Sequence, residues 1–224
     1  MRATRRLPAL LGAMALAAGL ALVPGRAGAV QFVGCSEDAL ADAIETANTA
    51  GGDGLFLSPF CTCTLTQAHS ADGASGLPDI TAPITLRGSV TDIVRAPGSP
   101  EFRIAKVDGT GTKNGELHLV TVTFRGRDAP GIEAGGAIAN VAGEVTLASS
   151  TLRDNRARVG GGLYNDTGTS TLNGSVVVGN TATDPVGGGG IYELSGSVNL
   201  VGTPVRDNAP NSCAPAGSVP FCSG

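Results

Sequence analysis

The chain has 224 residues, with 15 lysines and arginines against 19 acidic residues and a formal net charge of −4. This sparse, net acidic balance argues against nucleic acid or an anionic membrane surface as partner, and a 42% hydrophobic share is too high for disorder. There are 34 glycines and no Trp; beside many β-branched residues, this points to short strands joined by tight turns.

At the N-terminus, Arg2, Arg5 and Arg6 precede an uncharged run from Leu7 to Val23, and Ala27-Gly28-Ala29 follows as a small-x-small triplet. Charged, apolar and small segments in this order read as a secretory signal peptide over 1–29, cleaved after Ala29. The run holds 17 residues, short of the ~20 that span a bilayer comfortably. No later stretch is apolar enough to cross one, so the expected compartment is extracellular. Residues 30–224 then form one domain, long enough for a sizeable core.

Ser36 is placed to N-cap a helix over 36–50, with Glu37 and Asp38 in a first turn that favours negative charge. Leu40, Ala43, Ile44 and Ala47 follow helical spacing, and Gly51-Gly52 ends it. Such an amphipathic helix would cover the open apolar end of a stacked β structure. "LFLSPFCTCTLT", "ITAPITLRGS" and "FRIAKVDG" follow as strands. Export permits disulfides among the five cysteines. Cys213 and Cys222 enclose a short Pro/Gly-rich segment in the tail 209–224 and are paired. Cys35 pairs with Cys61 or Cys63, which share one face of a strand and compete for it. Their spacing does not suit zinc.

From residue 117 to 208 the chain repeats. "LASSTLRDN" (147–155), "LNGSVVVGN" (172–180) and "LVGTPVRDN" (200–208) superpose with offsets of 25 and 28. Leu147, Leu172 and Leu200 form one column, Leu152, Val177 and Val205 a second, and Asn155, Asn180 and Asn208 a third. One coil earlier, "LVTVTFRGR" (119–127) fits at 28, with Phe124 in the apolar column and Arg127 in place of Asn. Ile138, Leu163 and Ile191, each preceded by small residues, keep the same step. A unit of 25 to 28 residues cannot bury its own apolar face, but stacked units can. With only short strands and glycine turns per unit, the expected fold is all-β: a right-handed parallel β-helix, one unit per coil, like residues ~4.8 Å apart, with a short N-terminal capping helix. The recurrent Asn then forms a ladder, its amide bonding the next coil's amide and the free backbone of the bend.

These residues resemble a known group. The Gly-Gly-Ala-Ile block paired with apolar-x-x-Asn is similar to the repeats of polymorphic outer membrane proteins. The whole of 30–224 resembles secreted bacterial right-handed β-helix proteins of the pectin-lyase-like superfamily, whose mature N-termini carry a Cys followed by a short helix, as in "CSEDALADAIETAN", and then a "CTYTLT"-like strand. Here Cys63 stands in that tyrosine's place, which implies that Cys35 bonds Cys61 and that Cys63 is the odd thiol. The resemblance implies fold and export strongly and function weakly.

Pectate lyases and polygalacturonases of that superfamily need clustered carboxylates. The best carboxylate column here is Asp154 and Asp207, with Gly179 between, flanked by Arg153 and Arg206. Two coils place their backbones ~9–10 Å apart, too far to share a calcium at ~2.4 Å per ligand and at or beyond the upper edge of the ~6.5–9.5 Å of inverting glycosidases. They are the candidate catalytic residues of the alternative reading, a diverged polysaccharide lyase or glycoside hydrolase. His69 and His118 are read as isolated, and neither a cofactor nor a metal is expected. Thr121, Thr146 and Thr171 stand in one short, broken row, too little for an ice-binding array. Tyr164 and Tyr192 align on neighbouring coils, and two stacked aromatics suit a sugar or a protein. The leading reading is a monomeric, non-catalytic secreted protein that contacts a cell-surface glycan or protein. Gly187 to Gly190 lack the Lys and the helix of a phosphate loop. Gly189 and Gly190 are read as opening a strand where φ > 0 or close backbone approach is needed, and Gly187 and Gly188 as part of the longer connection of a 28-residue coil.

Overall fold

The computed structural model describes residues 31–126 and 131–222. The expected signal peptide over 1–29 and Arg127 lie outside the described residues. The backbone winds as a parallel β-solenoid of about six turns behind one short helix. On the first face, Gln31–Val33, Asp53–Leu57, Pro83–Arg95, Glu116–Arg125, Glu144–Ala148, Gly168–Asn173 and Gly196–Val201 pair in that order. The far ends of the two long strands continue into a second face with Thr62–Leu65, Thr151–Arg153, Val176–Val178 and Val205–Arg206. A third face stacks Ala105–Asp108, Ile138–Val141, Leu163–Asp166, Ile191–Glu193 and Cys213–Ala214.

The expected columns are the core. Leu86, Leu119, Leu147, Leu172 and Leu200 are in register on the first face; Ile93, Phe124, Leu152, Val177 and Val205 on the second; and Ala105, Ile138, Leu163, Ile191 and Cys213 on the third. Most are fully buried in a single cluster, while Leu200 and Val205 of the last coil are partly exposed. Each buried aliphatic side chain contributes roughly 1.5–3 kcal/mol relative to exposure.

Turning the chain three times per coil bends the backbone away from its strand partners, and each corner has its own supply of polar groups. Between the first and second faces, Thr121, Ser149, Gly174 and Gly202 all adopt left-handed φ of 51–56°. On the last three of these coils the next residue carries a hydroxyl, and the Val122 N–H of the first donates to Ser150 Oγ (3.3 Å). The Ser150 N–H donates to Ser175 Oγ (3.1 Å) and the Ser175 N–H to Thr203 Oγ1 (3.1 Å). Thr121 is therefore a corner residue. It does not join Thr146 and Thr171, whose column continues to His118; the row expected from sequence used the offset of 25 where this coil has 28.

At the second corner the asparagine ladder is complete across three coils. Asn155 Nδ2 donates to Asn180 Oδ1 (2.9 Å), and Asn180 Nδ2 to Asn208 Oδ1 (3.0 Å). The same oxygens accept the backbone N–H of Asn155 and Asn180 (3.0 and 2.9 Å). The Nδ2 groups also donate to the carbonyls of Phe124, Leu152 and Val177. A second ladder, missed in the repeat alignment, closes the third corner: Asn140 Nδ2 donates to Asn165 Oδ1 (2.9 Å), and Asn165 Nδ2 donates to the carbonyls of Gly168 and Ser195 (both 2.9 Å). Opposite Asn165 on the next coil stands Glu193, nearly enclosed.

The third face opens at Gly135, Gly160 and Gly188, with φ of 67, 60 and 59°. This corrects the glycine run. Gly188 is the left-handed corner residue, and Gly189 follows where an added Cβ would meet the Ala209 carbonyl at 2.1 Å. Gly187 also keeps register, since its carbonyl accepts the Gly160 N–H (2.8 Å). The extra residues of this coil are instead 183–186, which stand where the previous coil has Arg158 alone.

The ends are closed differently. The helix Glu37–Ala50 is N-capped by Ser36, whose hydroxyl oxygen accepts the Ala39 N–H (3.2 Å), and ends at Gly51 with φ 82°. It buries Leu40, Ile44 and Ala47 in the common core. Cys35 bonds Cys61, and Cys213 bonds Cys222. Among the described residues no helix is long and apolar enough to cross a membrane.

Asn180→Leu removes the middle of the ladder, takes one hydrogen bond from the Leu152 carbonyl and leaves two donors of Asn155 unpaired; a loss of about 3 kcal/mol is expected in chemical denaturation, and an unchanged midpoint would count against the ladder's role. Burial raises the Glu193 carboxyl above its ordinary value, opposed by a hydrogen bond from the Val198 N–H. A raised folded pKa means that its stabilising contribution is present at acid pH and lost as pH rises through that value. Glu193→Gln should thus raise Tm at pH 7 and raise it less at pH 4, read by calorimetry at both. Cys63 is buried, and its thiol is pushed up to about 11 by burial, with Glu37 adding. A thiol reagent should find no reactive cysteine in the native protein and one after unfolding.

Candidate functional site

Alternation along Leu163–Asp166 and Ile191–Glu193 sends Leu163, Asn165, Ile191 and Glu193 inward and Tyr164 and Tyr192 outward. The two tyrosines are in register, and their rings stack with centroids 6.0 Å apart and planes 14° from parallel. Such a pair contributes about 0.5–1.5 kcal/mol beyond its area. Burial, with Asp166 adding, pushes the Tyr164 phenol above its ordinary value. Ala139 precedes Tyr164 in the column and Ala214 follows Tyr192. The two rings therefore stand between two buried alanines, Ala139 and Ala214.

A groove of ≈ 310 Å³ runs past both rings, lined also by Arg158, Glu133, Asp184, Val186 and Leu194. Arg158 Nε contacts Glu133 Oε2 at 2.5 Å and Nη1 contacts Asp184 Oδ2 at 3.2 Å; Glu133 foremost holds the guanidinium more firmly in its charged form. Val186 is 69% exposed and Leu194 54%, so the groove has an apolar rim beside a closed ion triad. A second hollow of ≈ 390 Å³ shares Val186 and Tyr192 and lies against Asn211, Ala214, Pro215 and the Cys213–Cys222 disulfide. Two rings, two hollows and two exposed aliphatic side chains thus meet on one face. Sequence spacing predicted the pair; it held no signal for the hollows, which depend on residues 183–186 and on the tail.

The candidate catalytic aspartates lie elsewhere, in one column two coils apart. Asp154 and Asp207 occupy left-handed corner positions, φ 55 and 56°, with Gly179 at φ 67° between them. Asp tolerates this region better than most residues, so the corner geometry favours Asp at both positions. Asp207 is bound by its neighbour Arg206. Asp154 Oδ2 lies 3.8 Å from Arg153 Nη1, and Arg153 and Arg125 both approach Asp92 (3.8 and 3.5 Å). The column is a salt-bridged edge.

Two further groupings escaped the sequence reading. Glu116 and Glu144 are in register on the first face and line a polar groove of ≈ 260 Å³ with Lys113 and Thr169. The spacing of 28 could have revealed the pair. His118 is not isolated as expected: its Nε2 lies 3.7 Å from Glu116 Oε2. Beside this groove the Asp108 carboxyl is opposed by burial, yet held well below the usual carboxylate range by Lys113, Thr110 and Lys106. At the N-terminal end, Glu37, Asp38 and His69 bring ligand atoms within 4.8 Å of one another and so could hold a cation. However, Glu37 Oε1 already accepts the Thr66 hydroxyl (2.6 Å) and Oε2 the Thr66 N–H, and both acids sit in a helix first turn that favours them without an ion.

Comparison of the chain with protein-family models, with curated proteins and with solved structures found no match to any of them.

Proposed function

We propose that the chain is a secreted, monomeric, non-catalytic right-handed parallel β-helix of the pectin-lyase-like superfamily, which contacts a cell-surface glycan or protein through its third face. The observation that carries this reading is the stacked Tyr164–Tyr192 pair between two hollows, rimmed by exposed Val186 and Leu194. Aromatic rings present a large, rigid contact area at low entropic cost, and contiguous apolar exposure marks interaction sites. Two disulfides support an oxidising compartment. The lyase or hydrolase reading has less support, because Asp154 and Asp207 are explained by their corner geometry and arginine partners.

The test is binding on a glycan array and capture of cell-surface proteins by the purified protein. Tyr164→Ala and Tyr192→Ala should each weaken the contact about tenfold. A polysaccharide turned over by the protein, with turnover abolished by Asp154→Ala or Asp207→Ala, would overturn the non-catalytic reading.

A further inference from the structure

We infer that the open edge of Gly196–Val201 is the docking site for one extended segment of a protein partner, which adds a further strand to the first face. This contact lies apart from the third face and does not depend on it. The first-face sheet ends at Gly196–Val201. The Gly174 N–H donates to the Val201 carbonyl (2.8 Å), so Val201 faces the preceding coil. Alternate residues of a strand point their N–H and C=O to opposite edges, and Leu200 therefore turns both groups away from the sheet. No described residue outside the sheet bonds them. The Val198 N–H points the same way and is taken by the Glu193 carboxylate, a side chain standing where a strand would.

The side chains of this coil are unfinished in the same way. Leu172 and Val177 are fully buried, whereas Leu200 and Val205 in the same columns are only partly buried. A strand laid on the edge covers Leu200 as each later coil covers the one before. The other edges of the solenoid are guarded. Val205–Arg206 is two residues long between Pro204 and Asp207, Cys213–Ala214 is two residues tied by a disulfide, and Gln31–Val33 has three. Shortness, proline and charge are the usual protections of an edge strand. Gly196–Val201 has six residues, no charge and no proline. Unpaired amides and carbonyls at strand spacing fit another extended backbone, and such pairing gives affinity without a pocket. A second copy is the poorer occupant. Its N-terminal end carries the helix Glu37–Ala50, and at this end the tail already places Val219 in the core and leaves Phe221 97% exposed. Stacking end on end meets the helix or the tail, whereas a single strand needs only the edge. The segment that fits is uncharged, with an apolar side chain over Leu200.

A fluorophore-labelled peptide copying residues 168–180 serves as the probe, because in the fold that segment lies in register on 196–208. Its anisotropy should rise saturably as the protein is added. In hydrogen exchange the Leu200 amide should be open in the free protein and slowed about tenfold or more by saturating peptide, with the Val201 amide protected in both. Within the fold the Thr169 N–H donates to the Gly143 carbonyl of the preceding coil (3.0 Å), and Thr171 faces the same way. N-methylation of the peptide at Thr171 should therefore weaken binding about tenfold or more, and at Leu172 about twofold or less. Leu200→Pro removes the outward donor and no hydrogen bond within the sheet, and should match the larger loss; the methylated peptides serve if that variant fails to fold. Absence of saturable binding, equal effects of the two N-methyl groups, or a Leu200 amide that the peptide does not slow each overturn the proposal. A dimer in sedimentation that Leu200→Pro dissociates assigns the edge to a second copy and overturns the partner reading. None of these results touches the third-face contact, which the tyrosine variants test.

Discussion

Every coil of this protein must turn its backbone three times, and each turn strands amides and carbonyls that strand pairing cannot reach. Satisfying those groups inside the corners is the constraint on which the rest depends. The Asn155–Asn180–Asn208 ladder does so by two kinds of bond at once, amide to amide along the stack and amide to backbone within the bend. A buried polar group without a partner costs about 1–3 kcal/mol, so a corner residue that cannot stack on its counterpart is expensive on two coils. This locks the coils in register, and register in turn places Leu over Leu and Tyr over Tyr.

The same constraint gives structural roles to residues that suggest a site. The left-handed corner residues beside the ladder are Asp154, Gly179 and Asp207. Two aspartates in a column suggest a catalytic pair, and their backbone conformation and arginine neighbours give them a structural role. The four-glycine run suggests a ligand loop, yet Gly188 supplies a positive φ and Gly189 a close approach to the Ala209 carbonyl. The surface that remains unexplained by the fold is the third face, where register pairs two tyrosines and two hollows lie beside them.

Much of this was legible in the repeat. The offsets of 25 and 28 placed three columns and the tyrosine pair correctly, because strand stacking converts equal spacing into contact. The failures share one cause: the coils are not of equal length, and sequence spacing does not say where in a coil the extra residues lie. Thr121 was matched to Thr146 at the wrong offset, and the insertion at 183–186 was assigned to Gly187 and Gly188. Asn140 and Asn165, 25 apart, were overlooked beside the glycine block. Glu116 and Glu144, 28 apart, were overlooked on a coil whose register was already known.

Taken by itself, the order of residues determined the β-solenoid, its capping helix, the first ladder and the stacked tyrosines, since each is a local pattern repeated at a period that only stacking can satisfy. The tertiary structure alone decided what surrounds the tyrosines. The hollows beside them are built from Arg158, Val186, Leu194, Asn211 and the Cys213–Cys222 loop, segments far apart in the chain or inserted outside the repeat. Their meeting depends on how an irregular connection and a disulfide-tied tail lie over a regular sheet, and no periodicity encodes that.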